Sequence, residues 1–249
     1  IVKLTFAIRF HYLLMNAVAL LILRSHYTFV KWLNLIVRNH SIYYNTYYYY
    51  GQKLFLFRRK AMDDKKIKVE HYRFENKTVL KGQIVFTGSS LMEMFPINKL
   101  LTEHNDGTVI YNRGVGGFMS DELLRVIDVC ATDLMPSKVF INIGTNDLSW
   151  SSIPISQLMD NYSKILSAIE TAVPGVRIYL MAYYPVNYEA AAEEMKECLK
   201  IRTNEKINAA NIEVEKLAAR HHQRYIDINR NLKDELGRLK AEYTIEGMH

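Results

Sequence analysis

Two things are scarce in this sequence of 249 residues: cysteine, and, over its first quarter, acid. Cys130 and Cys198 are the only cysteines, too few for a disulfide scaffold and suited to a reducing compartment. No Gly-X-Y period is present, which excludes a collagen-like chain. A hydrophobic share of 49% with 23% charged residues excludes a disordered one. Residues 1–60 hold no Asp or Glu at all, none of the five prolines and one of the 11 glycines. They also lack a convincing membrane span: residues 10–23 run for 14 positions without a charge, where a spanning helix needs about 20 apolar residues. No small-residue cleavage site follows that run, which weakens a signal peptide.

What the first 60 residues do hold is nine Lys or Arg and 14 of the 29 aromatics, with six tyrosines between Tyr43 and Tyr50. The rest of the chain carries 23 basic and 26 acidic residues, so the overall +6 sums a +9 leader and a −3 remainder. Two kinds of sequence therefore join near Met62, and the expected division is a leader over 1–61 and a domain over 62–249. Three readings of the leader stay open. It is a basic, aromatic segment associating with a membrane through residues 1–60, a helical piece packed on the main domain, or translated upstream sequence with Met62 as the native start. The expected location is cytoplasmic, or membrane-associated through the leader. Nucleic acid is not an expected partner, because the domain is net acidic and shows no basic stripe to neutralise phosphates.

From residue 62 on, short apolar runs alternate with segments of helical period. Gln83–Thr87, Thr108–Tyr111, Lys138–Ile143, Arg177–Ala182 and Arg224–Ile228 read as five buried strands. Ile155, Leu158, Met159, Tyr162, Ile165, Leu166 and Ile169 share one helix face. Ser120 is placed to cap a helix whose first turn carries Asp121 and Glu122. Residues 201–221 read as a further helix with Ile201, Ile207, Ile212 and Leu217 inward. Strands alternating with helices imply a parallel α/β sheet. In such sheets chemistry sits beyond the carboxyl ends of the strands.

Four segments occupy those ends: Gly88-Ser89-Ser90, Asn112-Arg113-Gly114-Val115-Gly116-Gly117, Gly144-Thr145-Asn146-Asp147 and Glu246-Gly247-Met248-His249. Each alone is ordinary, a turn, a flexible loop or a helix cap. Together they supply what acyl transfer needs. A serine hydroxyl requires a base, which His249 offers. The base requires a carboxylate to hold its tautomer, which Glu246 offers three residues away. A tetrahedral oxyanion requires preset donors, and the Gly117 N–H and the Asn146 amide are of the right type.

These four segments resemble the blocks of the SGNH or GDSL-like hydrolases, with NRGVGG at 112–117 and GTND at 144–147 the strongest pieces. The resemblance runs from about Gln83 to His249. It implies a three-layer α/β/α, flavodoxin-like fold on a five-stranded parallel sheet. It also implies Ser90 as nucleophile, His249 as base, and Ser90 N–H, Gly117 N–H and Asn146 as oxyanion donors. Two positions depart from the pattern. Ser89 stands where the family has Asp before its serine, and Glu246 where it has Asp before its histidine. The family usually continues beyond this histidine, so a truncated C-terminus is expected.

The expected function is thus a serine esterase cleaving carboxylic esters through an acyl-enzyme, on short acyl esters, acetylated sugars or lysophospholipids. The rival is a carbohydrate- or lipid-binding protein that kept the fold and lost the chemistry. No cofactor or metal is expected, and the His221-His222 pair reads as solvated rather than ligating. Tyr183, Tyr184 and Tyr188 suit either stacking on a sugar or packing. Met92, Met94 and Phe95 suit either an acyl pocket or the core.

Overall fold

A computed structural model of the chain describes residue 62, residues 64–104 and residues 107–249. The three readings of the leader lie outside the described residues. The chain divides into two units, Ile1–Met62 and Asp63–His249, and the description below concerns the second. No helix among the described residues is long and apolar enough to cross a membrane.

Five strands, β1 (Ile84–Gly88), β2 (Ile110–Gly114), β3 (Lys138–Asn142), β4 (Arg177–Met181) and β5 (Arg224–Ile226), form one all-parallel sheet in the order β2-β1-β3-β4-β5. Helix α1 over 64–75 precedes β1, and the other helices lie between strands: α2 (Ser90–Glu93), α3 (Ile97–His104), α4 (Ser120–Arg125), α5 (Ile127–Cys130), α6 (Ile155–Ala172), α7 (Glu193–Leu199) and α8 (Asn204–Arg220). The architecture is the α/β fold with a five-stranded parallel sheet that the sequence implies. The pleat sends alternate side chains to opposite faces. Val139 and Ile141 of β3 and Ile178 and Leu180 of β4 enter the larger core, with Leu158, Ile165 and Ile169 of α6 and Ile207, Val214 and Leu217 of α8. Phe86 and Met181 point the other way, into a smaller cluster with Ile97, against which Phe140 and Leu101 pack. Apolar layers on both faces explain why these strands read as continuous hydrophobic runs.

Some local expectations shift. The second strand begins at Ile110, not Thr108, and continues through Asn112, Arg113 and Gly114, which read as loop because they are polar. Most of their polar groups are bonded laterally, though the buried Arg113 Nη2 has no partner. The Asn112 amide donates to the Met92 and Glu93 carbonyls, and the Arg113 Nε donates to Asn76 Oδ1 at 3.0 Å. Ser120 is the first residue of α4 rather than its cap, which is Met119. The last long helix starts at Asn204, capped by the Thr203 hydroxyl, which accepts from the Lys206 N–H. Ile201 precedes it and Ile212 is on its outer face, so both are exposed where inward positions were expected.

The strand order reverses between β1 and β3: the chain leaves β1 toward β2 on one side and returns to β3 on the other. That reversal opens a crevice at the carboxyl ends, where ligands of open α/β sheets bind. Ser90 follows β1 and Asn146 follows β3.

Candidate active site

The first side chain of the site is placed by a close approach of two strands. Gly88 ends β1 at φ +138°, and a Cβ there would lie 2.0 Å from the Asn142 carbonyl oxygen, so only glycine fits. The Ser89 N–H donates to that same oxygen at 3.1 Å. The chain then turns directly into α2, which makes Ser90 its first residue. First-turn N–H groups of a helix have no intrahelical acceptor, so the Ser90 N–H is of the kind that remains for a ligand.

The second side chain arrives from the far end of the chain. The Ser90 hydroxyl lies 2.7 Å from His249 Nε2, across 159 residues of sequence. His249 Nδ1 lies 2.7 Å from Glu246 Oε1, and that oxygen also accepts the His249 backbone N–H at 2.8 Å. A carboxylate only accepts, so Nδ1 carries the proton and Nε2 is the free acceptor facing Ser90. Serine, histidine and glutamate thus form one hydrogen-bonded line. The turn that bears the last two is tightly seated. Gly247, at φ +92°, accepts from the Asn187 N–H at 2.8 Å, and a Cβ on it would come within 2.7 Å of Ala191 Cβ. The Thr244 hydroxyl accepts the N–H groups of Glu246 and Gly247.

The two remaining site positions lie on neighbouring loops. Gly117, at φ +75°, follows β2 and turns its carbonyl to Lys65 Nζ of α1 at 2.8 Å. Lys65 also binds both Glu122 oxygens. The adjacent Gly116 N–H donates to Glu93 of α2, which pairs with Lys68 of α1. Tyr72 of α1 donates to the Gly114 carbonyl at 2.9 Å, its hydroxyl pushed up to about 12 chiefly by burial. Asn146 donates from Nδ2 to the Phe118 carbonyl at 2.9 Å, which ties its loop to the glycine loop. Its Oδ1 accepts from Arg202 Nη2 at 3.1 Å. Next to it, the buried Asp147 carboxylate accepts the Ser120 N–H and hydroxyl, the latter at 2.5 Å. Burial pushes the Asp147 carboxyl above its ordinary range, against the Ser120 hydrogen bonds.

Ser90, His249 and Glu246 therefore meet directly, while Gly117 and Asn146 are held beside one another through Phe118. Other expected features fall differently. Tyr183 is fully buried, its hydroxyl donating to the Ile143 carbonyl at 2.8 Å, so it packs rather than faces a ligand. Met92 is core, whereas Met94 is exposed and Phe95 packs on Phe86 with ring centroids 5.4 Å apart. His221 is not solvated: its ring bridges Ser163 Oγ and Glu170 Oε2, each at 2.9 Å. Among the described residues, no group of three or more His, Cys, Asp or Glu is arranged to hold a metal ion. Sequence reading missed Lys65, Glu93 and Arg202. Lys65 and Arg202 lie among other charged residues, none of the three belongs to a recognisable motif, and only the tertiary fold brings them to the site.

Comparison with known proteins adds a family. The model of the GDSL-like Lipase/Acylhydrolase family matches residues 96–249, a span that starts six residues after Ser90. A solved structure from Streptococcus pneumonia, provisionally described as a platelet activating factor, aligns with a TM-score of 0.72 at 29% identity, over 80% of this chain and 91% of its own. A GDSL-like lipase from Bacteroides thetaiotaomicron aligns at TM-score 0.60 and 19% identity, over 73% of this chain and 88% of its own. An acylhydrolase from Bacteroides fragilis, also provisionally described, aligns at 0.60 and 20%, over 72% and 86%. The last two are likenesses of fold. No curated protein matches the sequence.

Proposed function

Because the chain belongs to the GDSL-like lipase/acylhydrolase family, and is on that ground an ester hydrolase, we propose that it is a serine esterase working through an acyl-enzyme. Its hydrolase domain is residues 62–249. One observation carries the reading: the unbroken hydrogen-bonded line from Glu246 through His249 to the Ser90 hydroxyl.

His249 Nε2 takes the Ser90 proton as Oγ attacks the ester carbonyl carbon. Glu246 stabilises the imidazolium and holds its tautomer. The negative charge on the carbonyl oxygen is met by the Ser90 and Gly117 N–H groups and the Asn146 amide. The C–O bond to the alcohol breaks, and His249 returns its proton to the leaving oxygen. Water, deprotonated by the same nitrogen, then attacks the acyl-serine. The collapse of that second tetrahedral species releases the acid and restores Ser90.

The substrate is a small carboxylic ester, with short acyl esters, acetylated sugars and lysophospholipids the classes to compare. A panel of p-nitrophenyl esters of rising acyl length, with acetylated sugars and a lysophospholipid, ranks them. Alongside it, a fluorophosphonate probe labels the wild type and fails to label Ser90→Ala. Unlabelled, folded wild-type protein without turnover on the panel overturns the esterase reading and favours a binding protein.

A further inference from the structure

Arg202 stands between the two halves of this site without a counter-ion. It is 6% exposed, and its guanidinium makes three contacts: Nε to Ser149 Oγ at 2.8 Å, Nη2 to Asn146 Oδ1 at 3.1 Å and Nη1 to Met248 Sδ at 3.2 Å. Asn146 and Ser149 flank and end the short 3-10 turn after β3, and Met248 precedes His249. No carboxylate among the described residues forms an ion pair with it. Glu246 and Asp147 are near enough to favour its charge, as is the Cys198 thiol, but burial outweighs them and makes the guanidinium easier to discharge than an exposed one. Lys206, one helical turn on, feels Arg202 as a like charge and binds the Leu148 and Trp150 carbonyls instead. A buried cation bonded only to neutral groups is costly. A fold that keeps one has a use for its field or its geometry.

We propose that Arg202 is a positioning residue for ester hydrolysis, which locks the Asn146 amide with its N–H toward the oxyanion and supplies the positive field that the oxyanion neutralises. The proposal rests on the esterase reading above. The bond to Oδ1 and the bond from one Nδ2–H to the Phe118 carbonyl together fix the amide, which leaves its second Nδ2–H for the oxyanion, and the Arg202 bond polarises the amide so that this N–H is a stronger donor. The charge acts most when the carbonyl oxygen becomes anionic. Its contribution therefore falls on the transition state, not on the bound neutral ester. The contact with Met248 lets the same guanidinium keep the base-bearing turn in register with the donor loop.

The test compares wild type, Arg202→Met and Arg202→Lys on p-nitrophenyl acetate, with rates normalised to folded protein by circular dichroism. It adds inhibition by a trifluoromethyl ketone, whose serine adduct carries the oxyanion. Loss of one direct oxyanion donor costs about 10²- to 10³-fold in kcat, and an indirect one is expected to cost roughly tenfold or more. Arg202→Met should show that loss with KM within about twofold and an equal weakening of the ketone; Arg202→Lys, which keeps the charge, should recover part of both. Unchanged kcat and ketone affinity per folded molecule in Arg202→Met overturn the proposal. So does a change in KM alone. Should Arg202→Met not fold, Arg202→Lys decides: the proposal stands if kcat and ketone affinity fall together and fails if neither does. A wild type inert toward the ester fails the esterase reading instead, before any Arg202 variant is compared.

Discussion

Ser89, one residue before Ser90, is wholly enclosed, and its hydroxyl has no hydrogen-bond partner. It does not replace the carboxylate that the family pattern places there; the turn is shaped instead by Gly88 and the Ser89 N–H. An unpaired buried hydroxyl costs about 1–3 kcal/mol, so Ser89→Ala is expected to keep its activity and raise the melting temperature by about 2–12 °C. A lower melting temperature by scanning calorimetry would show that the hydroxyl is paired after all. Glu246 is the other departure, and here the longer side chain does reach: one oxygen serves both the His249 ring and its backbone N–H. Glu246→Gln keeps the reach but removes the charge and turns one acceptor oxygen into an NH2 donor. Its kcat is expected to fall by about 10²- to 10⁴-fold with KM nearly constant. Steady-state kinetics that match wild type would mean that Ser90 and His249 suffice as a dyad.

At the scale of elements, the site depends on how three segments distant in sequence are pinned. The Glu246–His249 turn is seated by Gly247 against Asn187 and Ala191. Gly247→Ala combines an unfavourable positive φ with a clash at 2.7 Å, so the turn must shift and carry His249 with it. The expected result is a fall in kcat of about tenfold or more, in keeping with the steep dependence of rate on sub-ångström placement, with a small drop in melting temperature. Retained kcat would show that the loop around Ala191 yields instead. The same scale shows what a sequence discloses. β1, β3 and β4 are near-continuous apolar runs and are legible to within a residue or so. The helix face of α6 is equally plain, because six buried side chains repeat at its period. β2 is not, since Asn112 and Arg113 look like loop until α2 and Asn76, just past α1, bond them. The line Ser90–His249–Glu246 is foreseeable from residue types at strand ends. Lys65 and Arg202 are not, because a single Lys or Arg on a helix or beside one carries no sign of where its head group goes.

At the scale of the whole molecule, the described residues contain two hydrogen-bonded serine–histidine–glutamate lines. In the second, Ser163 Oγ and His221 Nε2 are 2.9 Å apart, as are His221 Nδ1 and Glu170 Oε2. The distances alone nearly match those of the first line. Placement separates them. Ser163 and Glu170 both belong to α6, His221 follows α8, and Gln223 links Glu170 to the Ile178 N–H at the start of β4. That is the amino end of the sheet, away from the crevice, and Ser163 sits inside a helix whose N–H groups are committed to its own carbonyls. Nothing there can receive an oxyanion, so the second line braces α6 against α8. Ser163→Ala is expected to leave kcat and fluorophosphonate labelling unchanged and to lower the melting temperature by about 2–4 °C, the worth of one partly buried hydrogen bond in a domain of this size. Residual probe labelling in Ser90→Ala that disappears in the Ser90→Ala/Ser163→Ala double variant would refute this. The hydrogen-bonded line would then be sufficient for reactivity wherever it lies, and position at the carboxyl ends of the strands would lose its explanatory weight.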